Sequence, residues 1–172
     1  RRNRPRGRGD SSAVGAFMDG GGCYCGTAGP RKCVRMVEIT GKYQGNLHCT
    51  ARHGPSGSVL NTDAPRDNQG LGEAFSPTDL VATALGTCIA TTMAIAARKH
   101  GVELRGLEFK VTKEMSADTP RRIARLTTHV WMPIPSTHPA AKPLEGAARG
   151  CPVHHSLHPD TEKVITLHWA EG

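Results

Sequence analysis

Two cysteines of this 172-residue chain sit where a thiol could be put to chemical use. Cys88 falls in the middle of a long, nearly uncharged helical stretch, and on spacing alone it reads as a small buried hydrophobe. Cys151 stands between Gly150 and Pro152, at the N-cap of a short helix, where free amides and the helix dipole favour a thiolate. By that argument Cys151 is the more acidic of the two. His154, His155 and His158 crowd the turn that follows, which suggests a base beside a nucleophilic thiol, a metal site, or simply an exposed polar turn. Cys23, Cys25 and Cys33 do not make a zinc site, because a single residue separates the first two and a fourth ligand is missing. No metal and no cofactor is expected, and Cys49, at a strand end, reads as structural.

The elements around these thiols follow from hydropathy patterning. Val37, Ile39, Tyr43 and Leu47 around Gly45-Asn46 predict a β-hairpin, with Ser58–Thr62 as a third strand. Asp63–Ser76 carries Pro65, Asn68, Gly70 and Gly72 and is a loop. Ser76-Pro77-Thr78-Asp79 is a helix start with a capping box, and the helix runs to Lys99 or His100 before Gly101. Val81, Leu85, Cys88, Thr92 and Ile95 fall on one stripe, which predicts that the Cys88 thiol faces the interior. Leu104–Met115 and Ile123–Ile134 alternate as a second hairpin. A short helix over Ala140–Arg149, a turn from Cys151 to Leu157 and a final strand at Val164–Trp169 complete an α+β order of βββ, α, ββ, αα, β.

The net charge of +7 is concentrated at the start of the chain, since residues 1–35 hold eight Lys/Arg against two Asp. Nearly neutral residues 36–172 make a nucleic-acid surface unlike this domain, and only weak polyanion affinity through the basic, Gly/Arg-rich tail is expected. That composition predicts disorder over 1–35, with one folded domain over 36–172 and Met36 as a possible native start. No unbroken run of about 18 apolar residues occurs, so no membrane span is expected. Ser11–Gly22 lacks the apolar core of a secretory signal, and the expected compartment is the cytoplasm, where six Cys do not form a structural disulfide framework.

Taken together, Phe75-Ser76-Pro77-Thr78-Asp79-Leu80-Val81-Ala82-Thr83-Ala84-Leu85-Gly86-Thr87-Cys88 and Gly150-Cys151-Pro152-Val153 resemble the two cysteine motifs of the OsmC/Ohr family, over roughly Val37–Trp169. The resemblance implies an OsmC-like fold of antiparallel sheets with a long central helix carrying Cys88. It also implies an intertwined homodimer with each active site at the subunit interface. The implied activity is reduction of organic hydroperoxides in oxidative stress defence. Cys88 attacks the peroxide, Cys151 condenses with the sulfenic acid, and an external dithiol reduces the disulfide. This order conflicts with the dipole argument, which favours Cys151.

Peroxidases of this family resemble one another in holding an Arg and a Glu beside the attacking thiol. Here the residue after the helix-leading Pro is Thr78 instead of Glu. Glu73 is the expected substitute, and Arg66, with Arg52 behind it, the expected cation. The alternative is a non-peroxidatic dimer of the same fold, acting as a redox sensor or small-ligand binder.

Overall fold

A computed structural model describes residues 36–171. The expected basic tail, with Cys23, Cys25 and Cys33, lies outside the described residues. The first strands, β1 (Ile39–Gly45) and β2 (His48–His53), close through Asn46 and Leu47, both at positive φ (49° and 65°). A two-residue turn of that hand matches the strands' own twist. β3 (Val59–Thr62) adds to β2 and gives a sheet of order β1-β2-β3. Its register places Ile39, Tyr43, Cys49, Ala51 and Leu60 on one face and Thr40, Lys42, Thr50, Arg52 and Asn61 on the other. The sheet is thus amphipathic, yet Ile39, Tyr43 and Leu60 are 67%, 60% and 42% exposed.

The second sheet consists of β4 (Glu108–Met115), β5 (Ile123–Pro135) and β6 (Glu162–Ala170), in that order. β4 and β5 pair antiparallel as expected. β6 departs from the expectation of antiparallel sheets, because it joins β5 parallel. Two helices, α2 (Ala141–Arg149) and α3 (Pro152–Ser156), intervene and carry the chain back to its starting edge, as a parallel pairing requires.

The long helix, α1 (Pro77–Lys99), starts where the sequence places it: the Ser76 side chain accepts from the Asp79 amide and the Asp79 carboxylate accepts from the Ser76 amide. Its buried face is Ala82, Leu85, Gly86, Ile89, Met93 and Ala97. The predicted stripe was rotated from this, since Ile95 is more than half exposed and Cys88 only half-buried. Ala and Thr occupy every side of α1, so apolar periodicity alone hardly distinguishes one face from another. Gly86 makes the distinction: a Cβ there would meet the Phe109 ring at 2.5 Å, so only glycine lets β4 cross so close. By length and composition α1 could cross a bilayer, contrary to the expectation that no segment qualifies. In this fold it is the central core helix, with Leu85, Ile89, Met93 and Ala97 wholly buried against Leu126, Val130 and Leu144.

Candidate functional site

The N-terminus of α3 brings Cys151 against α1. Gly150 ends α2, Pro152 takes the first helical position of α3, and Cys151 between them is its N-cap. Cys151 is fully buried and packs in the same apolar cluster that Cys88 packs against. Neither forms a disulfide, and both are free thiols.

Burial pushes the Cys151 thiol up from its ordinary range, and the hydrogen bond to Cys88 and the charge of that neighbour push the same way. The His154 and Val153 amides pull it down, as an N-cap should, but do not prevail. The N-cap therefore does not stabilise a thiolate at Cys151 against its burial. A helix of five residues in a dry site offers too little to offset desolvation, so the Cys151 thiol holds its proton.

His154 is held below the usual histidine range, chiefly by burial and then by the positive neighbours Lys163, His155 and Arg149. Its buried Nδ1 has no hydrogen-bond partner. His155 meets it edge to face at 5.5 Å, and His158 lies 3.7 Å from Asp160. Among the described residues, no three His, Cys, Asp or Glu side chains gather as a metal would require.

The other expected site residues have their partners in their own loop and in the first sheet. Arg66, on a 3₁₀ turn, donates from Nε to the Leu71 carbonyl at 3.0 Å. Glu73 Oε2 instead lies 3.5 Å from His48 Nε2. His48 donates from Nδ1 to the Asn46 carbonyl, and its Nε2 is also 3.7 Å from the fully buried Asp63. Asp63 in turn accepts the Glu73 amide at 3.0 Å, and this bond holds its carboxyl below the usual range against the push of burial. His48 and Asp63 therefore anchor the loop that carries Arg66 and Glu73, a role the sequence analysis missed. Arg52 is on the polar face of the first sheet, beside Gly57.

Thr78, in the position of the family's Glu, is bound by Lys113 Nζ at 2.7 Å, and the same ammonium donates to Asp79 at 2.6 Å. Lys113 was also missed. Its signal is a strand position in phase with Phe109 and Val111, the inward side of β4, where a lone Lys needs a partner. Burial pushes the Asp79 carboxyl up, but hydrogen bonds from Lys113 and Ser76 outweigh it and hold the group below its ordinary 3.8. A depressed carboxylate stabilises the fold above the unfolded-state value and loses that contribution as pH falls through the folded-state value. Acid unfolding followed by circular dichroism should therefore show Asp79→Asn less stable than wild type at pH 7, with the gap closing below about pH 4. An unchanged gap at pH 3 would dissociate Asp79 from the acid response.

Phe75, Ala82, Thr83, Phe109, Val111 and Lys113 line most of an open cleft of about 610 Å³ along the first turns of α1. Its lining is mostly apolar, with Glu73 and the Lys113–Asp79 pair as its charged groups.

Residues 70–165 match the family model described as OsmC-like protein. A crystal structure from Psychrobacter arcticus, provisionally described as an osmotic stress induced and detoxification response protein, is 38% identical. It covers 81% of this chain and 99% of its own, with a TM-score of 0.71. An organic hydroperoxide resistance protein OsmC from Legionella pneumophila shares the fold at 16% identity, with 80% and 99% coverage and a TM-score of 0.65. One from Elizabethkingia anophelis, an organic hydroperoxide resistance protein, does so at 12% identity, with 81% and 100% coverage and a TM-score of 0.67. No curated protein matches the chain.

Proposed function

Since the chain belongs to the OsmC-like protein family, we propose that it is a thiol-dependent peroxidase reducing organic hydroperoxides through Cys88 and Cys151. The packing of Cys88, on α1, against the same core cluster as Cys151, at the N-cap of α3, carries the reading. Cys88, as thiolate, attacks the distal peroxide oxygen. The O–O bond breaks, and the alkoxide leaves as alcohol after taking a proton, with Cys88 oxidised to sulfenic acid. Cys151, still protonated, then condenses with it, forming the S–S bond and releasing water. An external dithiol returns both sulfurs to thiols and is itself oxidised to a disulfide. The apolar cleft beside α1 suits the organic part of such a substrate. The cytoplasm, whose reducing poise keeps the pair as thiols between turnovers, is the fitting compartment.

The working unit in this proposal is a homodimer. A three-stranded sheet with an uncovered apolar face is marginal by itself and needs a partner surface. Ile39, Tyr43 and Leu60 on that face, together with the exposed Phe75 and Ile95, supply one for a second copy. Arg66, whose Nε is tied to the Leu71 carbonyl of its own loop, would then serve the site of the partner copy, while Glu73 lines the cleft beside α1. The Lys113–Thr78 bond favours a second reading, a non-peroxidatic dimer that senses redox state or binds a small ligand, because it leaves no carboxylate in the family's position.

Anaerobic thiol counting before and after one equivalent of cumene hydroperoxide separates the two. Loss of two thiols, with mass mapping of a Cys88–Cys151 disulfide, is the expected result. Survival of both thiols in excess peroxide would transfer the assignment to the binding module.

A further inference from the structure

His155 and His158 are exposed, but His154 is half-buried, and its Nδ1 is sealed from solvent with no hydrogen-bond partner. An orphaned polar atom inside a protein calls for a reason. Cys151 is the N-cap of α3 and His154 its third helical residue, the spacing of a capping box. Helical Cα–Cβ bonds tilt toward the N-terminus, so a side chain at that third position leans back over the cap. No side-chain hydrogen bond closes the cap of α3. A fully buried thiol and an unpartnered imidazole nitrogen are therefore left on one turn.

The cycle proposed above makes a demand on this turn. Thiolate, not thiol, is the nucleophile, so the Cys151 proton must leave as the S–S bond forms. Bulk water is a poor acceptor for it, because Cys151 exposes no surface. Resting on that peroxidase reading, we propose that His154 is the general base of the condensation step, its Nδ1 taking the Cys151 proton as the sulfur attacks Cys88. The S–H bond breaks toward Nδ1, and the S–S bond forms as the S–O bond of the sulfenic acid breaks. The leaving hydroxide takes the proton back from the imidazolium and departs as water, so His154 ends neutral. The Cys88 sulfur is reduced and the Cys151 sulfur oxidised, both to the disulfide level. Burial and the positive neighbours Lys163 of β6, His155 of α3 and Arg149 of α2 hold the ring below the usual histidine range, so at pH 7 it is neutral and able to accept. On the thiol side the titratable groups are Cys151 itself and Cys88 of α1.

Rapid acid quenching and intact mass after one equivalent of cumene hydroperoxide follow the step directly in the full chain, between about pH 4.5 and about pH 9. His154→Gln keeps a polar side chain that cannot take a proton, and circular dichroism checks that it is folded. Cys88 should reach the sulfenic acid equally fast in both proteins. Wild type should then close the disulfide at a rate that declines as pH falls below about 6.5. His154→Gln should close it at least about a hundredfold more slowly at pH 7, accumulate dimedone-reactive sulfenic acid, and gain rate steadily as pH rises toward the thiol range. Equal rates, or a slowed variant that keeps the wild-type acid limb, would overturn the proposal. So would a wild-type profile without that limb, which needs no variant at all. If the peroxide leaves Cys88 untouched, the peroxidase reading fails and diamide takes its place. Diamide adds to the Cys88 thiolate, and Cys151 displaces the hydrazine to close the same S–S bond, so the comparison with His154→Gln still decides.

Discussion

Cys88→Ser should abolish turnover of cumene hydroperoxide, lowering the rate on the order of 10³-fold or more, as loss of a nucleophile does elsewhere. Cys151→Ser should behave differently. Its Cys88 can still attack, so one equivalent of peroxide is consumed rapidly and the protein stops as the sulfenic acid, which dimedone traps. The asymmetry follows from the buried contact. Cys151 is raised by desolvation and by its neighbour, which fits it to hold a proton until condensation. Single-turnover peroxide consumption with intact-mass detection distinguishes the roles. A rapid first turnover in Cys88→Ser, with none in Cys151→Ser, would reverse the assignment and restore the more acidic role to the N-cap thiol.

The other large effect concerns the first sheet. Replacing both Ile39 and Leu60 with Asp should separate the proposed dimer, because each is a large apolar side chain on the uncovered face. Burying such a side chain contributes about 1.5–3 kcal/mol. Losing two of them corresponds to at least about a hundredfold weaker association at 1.4 kcal/mol per tenfold. Light scattering with size exclusion should give a mass near twice the 18.3 kDa chain for wild type and a single chain for the variant. Thermal unfolding of wild type should also rise with protein concentration, as it does for a coupled dimer. Peroxidase activity should fall together with association if Arg66 acts across the interface. A wild-type mass of one chain at tens of micromolar would refute the dimer while leaving the thiol chemistry standing.

Local signals determined a good deal of this protein. The Ser76-Pro77 start of α1, the first hairpin, whose turn at Asn46-Leu47 lies one residue beyond the expected Gly45-Asn46, the alternation of β4 and β5 and the placing of Cys151 at an N-cap are each set by residues a few positions apart. Such features rest on capping, turn chemistry and side-chain period, all of which a short window contains. The pairing of two cysteine motifs across 63 positions was legible only through a family resemblance. Nothing in the spacing itself says that they meet.

What required the tertiary structure depends on distant neighbours. The true core face of α1 was invisible in an Ala- and Thr-rich helix and emerges from the approach of Phe109 to Gly86. The parallel pairing of β6 depends on where α2 and α3 return the chain. The raised Cys151 thiol has the same kind of cause: a dipole can be read from Gly150-Cys151-Pro152, but burial cannot, and desolvation is the larger effect. Likewise the bond from Lys113 to Thr78, 35 positions away, exists only once β4 packs on the first turn of α1, because hydrogen bonds are set by separation in space and not along the chain.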